Sequence, residues 1–203
     1  MFTGIVAAVG RITALSPLPQ GVRLTIATGS LPLTDARLGD SICVNGVCLT
    51  AVELHPHAFM ADVSRETLDC TVGLDHPGEV NLEVSLTLAD RLGGHLVSGH
   101  VDGVGLVTRF EAIGESWFLE IEAPDDIARY IARKGSVTVN GTSLTVNHVA
   151  GRRFDINIIP HTWAVTTFRN LQTGHHVNLE VDLIARYCER ILGYAADTAQ
   201  GTV

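Results

Sequence analysis

Lysine occurs once in the chain, at position 134, and the other 13 of its 14 basic residues are arginines. Against 22 acidic residues they leave a net charge of -8. No basic run breaks the sequence, and aromatic residues make up only 5% of it. Nucleic-acid binding needs clustered cations for phosphates and aromatic faces for bases, which argues against a nucleic-acid partner and an oligonucleotide-binding barrel. Cysteine is sparse too: Cys43, Cys48, Cys70 and Cys188, none in a C-x-x-C pair. That spacing argues against a structural zinc site. The nine histidines are scattered, and pairs such as His55/His57 and His175/His176 lack metal-site spacing. They read as loop residues, and no metal site is expected. No apolar run approaches the roughly eighteen residues of a membrane span, so no membrane is expected. The start, Met1-Phe2-Thr3-Gly4-Ile5-Val6, has neither the basic end nor the apolar core of a signal peptide. The expectation is a cytoplasmic protein with reduced thiols.

What the chain does have is a repeated phrase. Residues 43–52 read C-V-N-G-V-C-L-T-A-V and residues 138–147 read T-V-N-G-T-S-L-T-V-N. A shift of 95 positions places Asn45 on Asn140, Gly46 on Gly141, Leu49 on Leu144 and Thr50 on Thr145. The same shift sets F-T-G-I-V-A-A-V-G (2–10) on V-S-G-H-V-D-G-V-G (97–105), and Phe59 on Phe154. V-N-L-E-V at 80–84 returns at 177–181. Matches kept in order over the whole length mean one duplicated unit, not a solenoid of short repeats.

Each unit alternates apolar and polar residues at strand period, as in Val22–Ala27, Val80–Val84 and Phe154–Ile158. Asn45-Gly46 and Asn140-Gly141 are strong hairpin signals, because both positions of such a turn need positive φ. With a two-residue turn, Val44 pairs with Val47, and Cys43 lies opposite Cys48 on one face. Thr138 and Ser143 take those places in the second copy. Each unit thus reads as a small closed β-barrel with helical turns at its ends. Residues 85–95 read as a helical turn stopped by Gly93-Gly94, and 124–135 as a short helix ended by Gly135. After both units, Asp182 is a plausible N-cap for a helix carrying Ile184, Tyr187, Cys188 and Ile191 on one face. That face serves either the second barrel or other subunits, and oligomerisation is favoured.

The hairpin strands place Cys48 with Thr50, and Ser143 with Thr145, as small polar pairs. Such residues also simply suit strands. His100 stands where the first copy has Ile5, which is either a task or drift. Gly4 and Gly99 recur where backbone could approach a flat ligand.

These segments carry a family resemblance. M-F-T-G-I-V, V-C-L-T (47–50), R-E-T-L (65–68), G-G-H-L-V-S-G-H-V-D-G (93–103), N-G-T-S-L-T-V (140–146), I-I-P-H-T (158–162) and V-N-L-E-V-D (177–182) together resemble riboflavin synthase of the α-chain type, up to about residue 192. Two departures stand out: Ala7-Ala8, where acidic residues are common in the family, and the poorly matched 31–40. The resemblance implies an all-β fold of two tandem six-stranded antiparallel Greek-key β-barrels, with short helical turns and a C-terminal α-helix. The barrels would span 1–96 and 97–185, the oligomerisation helix 183–195 and a flexible tail 196–203. It implies a homotrimer, with possible association with lumazine synthase. The substrate would be 6,7-dimethyl-8-ribityllumazine. Two copies would dismutate by four-carbon transfer to riboflavin and 5-amino-6-(D-ribitylamino)uracil, with no cofactor. The site would lie between barrels of neighbouring subunits.

Carried over by motif, the first lumazine site would use Gly4, Ile5 and Val6, then Cys48, Leu49 and Thr50, then Asp62, Val63, Ser64, Arg65, Glu66 and Thr67. The second would use Gly99, His100 and Val101, then Lys134, then Ser143, Leu144 and Thr145, then Ile158, Ile159, Pro160, His161, Thr162 and Trp163. Cys48, Ser143, Thr145, Asp182 and His100 would meet the chemistry, with Phe2 packed nearby. Asp182 stays open between N-cap and catalyst, and Ser143 reads as a hydrogen-bonding group rather than an activated nucleophile. A non-catalytic lumazine- or flavin-binding antenna protein is the alternative. Degeneration of the second pocket would mark it, and Ser143, Thr145, His100 and Lys134 are all present.

Overall fold

A computed structural model describes residues 1–199. The first unit is a closed antiparallel barrel of β1 (Ala8–Leu18), β2 (Gly21–Ala27), β3 (Ser41–Val44), β4 (Val47–His55), β5 (Ala58–Ser64) and β6 (Gly78–Val84). Its strand order is β1-β2-β5-β4-β3-β6. Alternation does the work: Leu24 and Ile26 of β2, and Phe59, Ala61 and Val63 of β5, point inward at period two and fill the core. Helix α1 (Arg65–Cys70) follows β5, capped by Ser64, whose hydroxyl accepts from the Thr67 amide.

The second unit repeats the plan with β7 (Gly103–Ile113), β8 (Ser116–Glu122), β9 (Ser136–Val139), β10 (Thr142–Thr145), β11 (His148–Ala150), β12 (Arg153–Ile158) and β13 (His176–Val181). Its order is β10-β9-β13-β7-β8-β12-β11. Here β10 and β11 are the two halves of one strand, the counterpart of β4. In the first barrel β4 absorbs an extra residue as a bulge between Ala51 and Glu53. At the matching place the second barrel breaks: the Val146 amide donates to the Gly135 carbonyl, as Ala51 does to Asp40 in the first barrel, and the Asn147 amide donates to the Asp155 carbonyl. Six expected strands thus become seven segments. A second irregularity is shared, since β1 slips register between Ile12 and Ala14, and β7 between Val107 and Arg109.

Both hairpins form as the sequence predicts. Asn45 and Gly46 have φ of 51° and 90°, and Asn140 and Gly141 have 45° and 79°. Val44 pairs with Val47, Cys43 with Cys48 and Thr138 with Ser143. The two turns meet head to head, and a Cβ on Gly46 would stand 2.9 Å from the Gly141 amide nitrogen. Two buried asparagines stitch this junction. Asn81 donates to the Asn140 carbonyl and accepts from the Thr167 amide. Asn178 donates to the Asn45 and Val72 carbonyls and accepts from the Val72 amide.

Three expected helices change. Residues 85–95 form no helix; the Asp90 carboxylate accepts from the Thr87 amide and hydroxyl and closes a local turn instead. The 124–135 helix shrinks to α2 (Asp125–Ala128), which has no side-chain cap. The C-terminal helix α4 runs from Leu183 to Ala199, beyond the expected end at 195. Ala195, Ala196 and Ala199 are strong helix formers, which sustains the extra turn. Of the tail expected at 196–203, residues 200–203 lie outside the described residues. Between α1 and β6, and between β12 and β13, lie loops; the second holds α3 (Pro160–Val165), which sits where α1 sits in the first barrel.

Candidate functional site

The candidate residues divide about the junction, and the division crosses the repeat. The chain's first residues lie against the second barrel: the Gly4 carbonyl accepts from the Ser143 amide at 2.7 Å. The start of the second unit lies against the first barrel: the Gly99 carbonyl accepts from the Cys48 amide, also at 2.7 Å. Gly4 and Gly99 have φ of 74° and 78°, so each needs glycine for its backbone. A Cβ would stand 2.6 Å from that of Ser143 in one case and 2.7 Å from that of Cys48 in the other. Within one chain, therefore, Gly4 is grouped with Ser143 and Gly99 with Cys48. The half-buried Val101 likewise packs on the core of the first barrel.

Around Cys48 the surroundings are apolar. Phe2, Cys43 and Val97 form a small buried cluster against it, and Phe2 bridges to Val97 as an isolated antiparallel pair. Phe2 is wholly buried, so it backs Cys48 rather than facing an open site. All four cysteines are free. Burial pushes the Cys43 thiol well up, whereas Cys48 is half-buried and reachable.

Around Ser143 the surroundings are polar. His95, which no motif reading singled out, shares a hydrogen bond of 2.7 Å between its Nδ1 and Ser143 Oγ. Its Nε2 lies 3.4 Å from Thr138 Oγ1. Burial lowers the His95 pKa, and the nearby Asp182 carboxylate pulls the other way. A neutral imidazole offers one acceptor nitrogen, which allows it to receive the Ser143 proton. Asp182 also caps α4, its Oδ1 accepting from the Ile184 amide at 3.0 Å. Repeat comparison could not have found His95, because the shift of 95 carries it to before Met1. Its sequence signal is its place inside the motif G-G-H-L-V-S-G-H-V-D-G (93–103), two residues ahead of the second copy's start.

The other candidates fall into three groups. Ile5, Thr50, Ser64, Arg65, Glu66, His100, Lys134, Thr145, Ile159, Pro160 and His161 are exposed, and Val6, Thr67 and Thr162 are half-buried. Leu49, Val63, Leu144 and Ile158 point into the cores, so only their backbones can meet a ligand. Asp62 pairs with Arg23, whose guanidinium holds the carboxyl below its usual range, and Trp163 stacks on Trp117 with ring centroids 4.5 Å apart. Lys134 has φ of 65°, and its amide donates to the Val146 carbonyl beside Thr145. One cavity of about 280 Å³ lies beside Ser98, His100, Asp102 and Glu180, and another of about 430 Å³ beside Ser64, Arg65 and Glu66. Neither is lined by Cys48 or Ser143. Among the described residues, no three His, Cys, Asp or Glu converge to hold a metal. No described helix is long and apolar enough to cross a membrane, which leaves membrane-spanning strands unaddressed.

A family model described as the lumazine binding domain matches residues 3–85 and again 98–182. Riboflavin synthase of Mycobacterium tuberculosis (strain ATCC 25618 / H37Rv) is 46% identical over 200 residues, covering 95% of this chain and 98% of that one. The chain belongs to the riboflavin synthase family. The riboflavin synthase of Photobacterium phosphoreum is 44% identical over 194 residues, with 95% of this chain and 89% of the relative covered. Among solved structures, LumP complexed with 6,7-dimethyl-8-(1'-D-ribityl) lumazine is similar with a TM-score of 0.77 at 25% identity. It covers 89% of this chain and 99% of that one. LumP complexed with riboflavin gives 0.78 and 27% over the same shares. In riboflavin synthase terms, the two barrels here are the two lumazine-binding domains.

Proposed function

We propose that this protein catalyses the riboflavin synthase reaction. Two molecules of 6,7-dimethyl-8-ribityllumazine dismutate by transfer of a four-carbon unit, giving riboflavin and 5-amino-6-(D-ribitylamino)uracil. The observation that carries this reading is the pair of complete lumazine-binding domains in a chain 46% identical to a riboflavin synthase over nearly its whole length. Resemblance to LumP is weaker, at 25% identity, which speaks against a purely ligand-binding protein.

The chemistry asks for two similar cradles and modest proton transfer. Holding two ring systems in attack geometry can supply about 7–11 kcal/mol of the barrier. The C7-methyl of the substrate is acidic, so a weak base suffices. Ser143 backed by neutral His95 is one proton-handling group, and the exposed His100 is a second. Cys48 offers a reachable thiol beside the other strand. Asp182 stands close enough to influence His95 and steadies an imidazolium there. This reading invokes no metal or cofactor.

The site is completed by assembly in this reading. The apolar stripe of α4 supports a homotrimer: Ile184, Tyr187 and Ile191 are each about two-thirds exposed on the single chain. Trimer formation would bring the first barrel of one subunit to the second barrel of another. The four free cysteines suit a cytoplasmic location. Association with lumazine synthase is a further partner the family allows, and co-sedimentation tests it.

One assay tests the function. Purified protein is mixed with 6,7-dimethyl-8-ribityllumazine and excess chelator, and riboflavin absorbance is followed. Riboflavin should appear at an undiminished rate with chelator present. Lumazine binding without riboflavin overturns the catalytic reading and favours the antenna type; loss of turnover on chelation overturns the metal-free part.

A further inference from the structure

Two buried carboxylates have no part in the chemistry above. Glu83 of β6 is 7% exposed, and Glu180 of β13 is 3% exposed. Neither takes part in a salt bridge among the described residues. Each spends its oxygens on a single turn. Glu83 Oε1 accepts from the Thr3 amide and hydroxyl at 2.7 and 2.6 Å, and its Oε2 from the Gly4 amide at 2.9 Å. Glu180 Oε1 accepts from the Ser98 amide and hydroxyl at 2.6 and 2.7 Å. Its Oε2 accepts from the Gly99 and His100 amides at 2.9 and 3.1 Å.

Every partner is a donor, so only a group that accepts at both ends can satisfy these turns. An ionised carboxylate does this and an amide does not. Burial raises the pKa of both, against their own hydrogen bonds, so each carboxylate is held in place at a cost in solvation. What the turns hold in return lies in the other barrel. Gly4 passes its carbonyl to Ser143, and Gly99 passes its carbonyl to Cys48.

We propose that Glu83 and Glu180 are positioning residues that act across the junction. Glu83 of the first barrel sets Ser143 of the second through the Thr3–Gly4 turn, and Glu180 of the second sets Cys48 of the first through the Ser98–His100 turn. The brace is reciprocal, so neither barrel arranges its own reactive strand alone. This rests on the proposed function in one respect only: that Ser143 and Cys48 face the two lumazines.

The full-length variants Glu83→Gln and Glu180→Gln test it beside the parent protein. Iodoacetamide labelling, followed peptide by peptide, reads Cys48, with the exposed Cys70 as internal reference. Glu180→Gln should change the Cys48 rate about fivefold or more while the reference holds; Glu83→Gln should leave Cys48 within about twofold. Both variants should lower kcat about tenfold or more, with KM changed far less. Equal Cys48 rates in the two variants, or kcat unchanged in both, overturn the proposal. Should either glutamine variant fail to fold, Ser98→Ala and Thr3→Ala remove one donor each, and the same crossed pattern is expected at smaller amplitude. A parent protein that binds lumazine but makes no riboflavin defeats the functional reading instead, and the labelling pattern is read independently of it.

Discussion

The two barrels present the same backbone to the junction and different chemistry upon it. At a shift of 95, Cys43 and Cys48 become Thr138 and Ser143, and the wholly buried Phe2 beside Cys48 becomes Val97. The first strand is thus lodged in an apolar cluster, while the second hydrogen-bonds to His95. The outer ends differ as well: Val22 and Leu68 of the first barrel correspond to Trp117 and Trp163, which stack in the second. The duplicated strands are equivalent in backbone, and the proposed function reads the first as a thiol site and the second as a proton-handling site. A reaction between two identical molecules with different fates calls for that asymmetry.

The largest test of the comparison falls on the polar side. Replacing His95 with Gln keeps a hydrogen bond to Ser143 within reach but removes a group able to take its proton. Turnover should fall about a hundredfold, the lower end of what one proton-transfer group contributes, with KM changed little. Steady-state riboflavin formation measures it; an unchanged kcat would return His95 to a packing role.

The junction itself is unequal, and stability should show it. Asn178 makes three hydrogen bonds to the first unit, and Asn81 makes two to the second. Asn178→Leu strands buried partners and should cost about 3 kcal/mol, against about 2 kcal/mol for Asn81→Leu. Thermal unfolding should then drop by about 6–12 °C for the first and less for the second. A reversed order would mean that the barrels, and not these bonds, carry the junction. On the apolar side, Cys48→Ser makes the first strand resemble the second. Turnover should fall about tenfold, because the hydroxyl lacks a thiol's acidity and has no histidine partner here. Turnover equal to the parent's would reduce the Cys48/Ser143 difference to drift.

Local patterns were legible in the sequence because their causes are local. The two Asn-Gly turns, their strand partners and the period-two cores follow from φ preference and burial alone. So does the cap at Asp182. Residues 85–95 misled because Gly93-Gly94 ends a turn as readily as a helix, and Thr87 and Asp90 bond to each other and close a turn. The split of β4's counterpart at Val146–Asn147 falls where β4 carries its bulge, and it turns on long-range pairing that no short window contains. The crossing of Gly4 to Ser143 and Gly99 to Cys48 is a property of how two finished barrels dock. A repeat alignment groups each glycine with its own copy and so conceals it. His95 was hidden for the same reason, lying in the connection that only the second unit possesses.

The smallest effect concerns pH, and its sign separates the two sides of the junction. Burial holds the His95 pKa below the 6.5 of a free imidazole. The unfolded chain therefore binds the proton first, and stability from neutral His95 is present above pH 6.5 and lost as pH falls through the folded value. Thr138, Ser143 and Asp182 are the groups facing it, and only Asp182 carries charge to oppose the loss. Glu83 and Glu180 behave the other way. Their raised pKa values give stability that is complete below the free value of 4.5 and is lost as pH rises through the folded ones. The two trends run in opposite directions with pH, so the whole protein's curve mixes them. The difference between the parent and His95→Gln isolates the imidazole, since the glutamates are common to both. Denaturant unfolding at a series of pH values should show the parent losing more stability than the variant on acidification from pH 7 to pH 5. Parallel curves would mean that His95 takes up its proton equally well in the folded chain, which would also remove the neutral acceptor on which the role given to Ser143 depends.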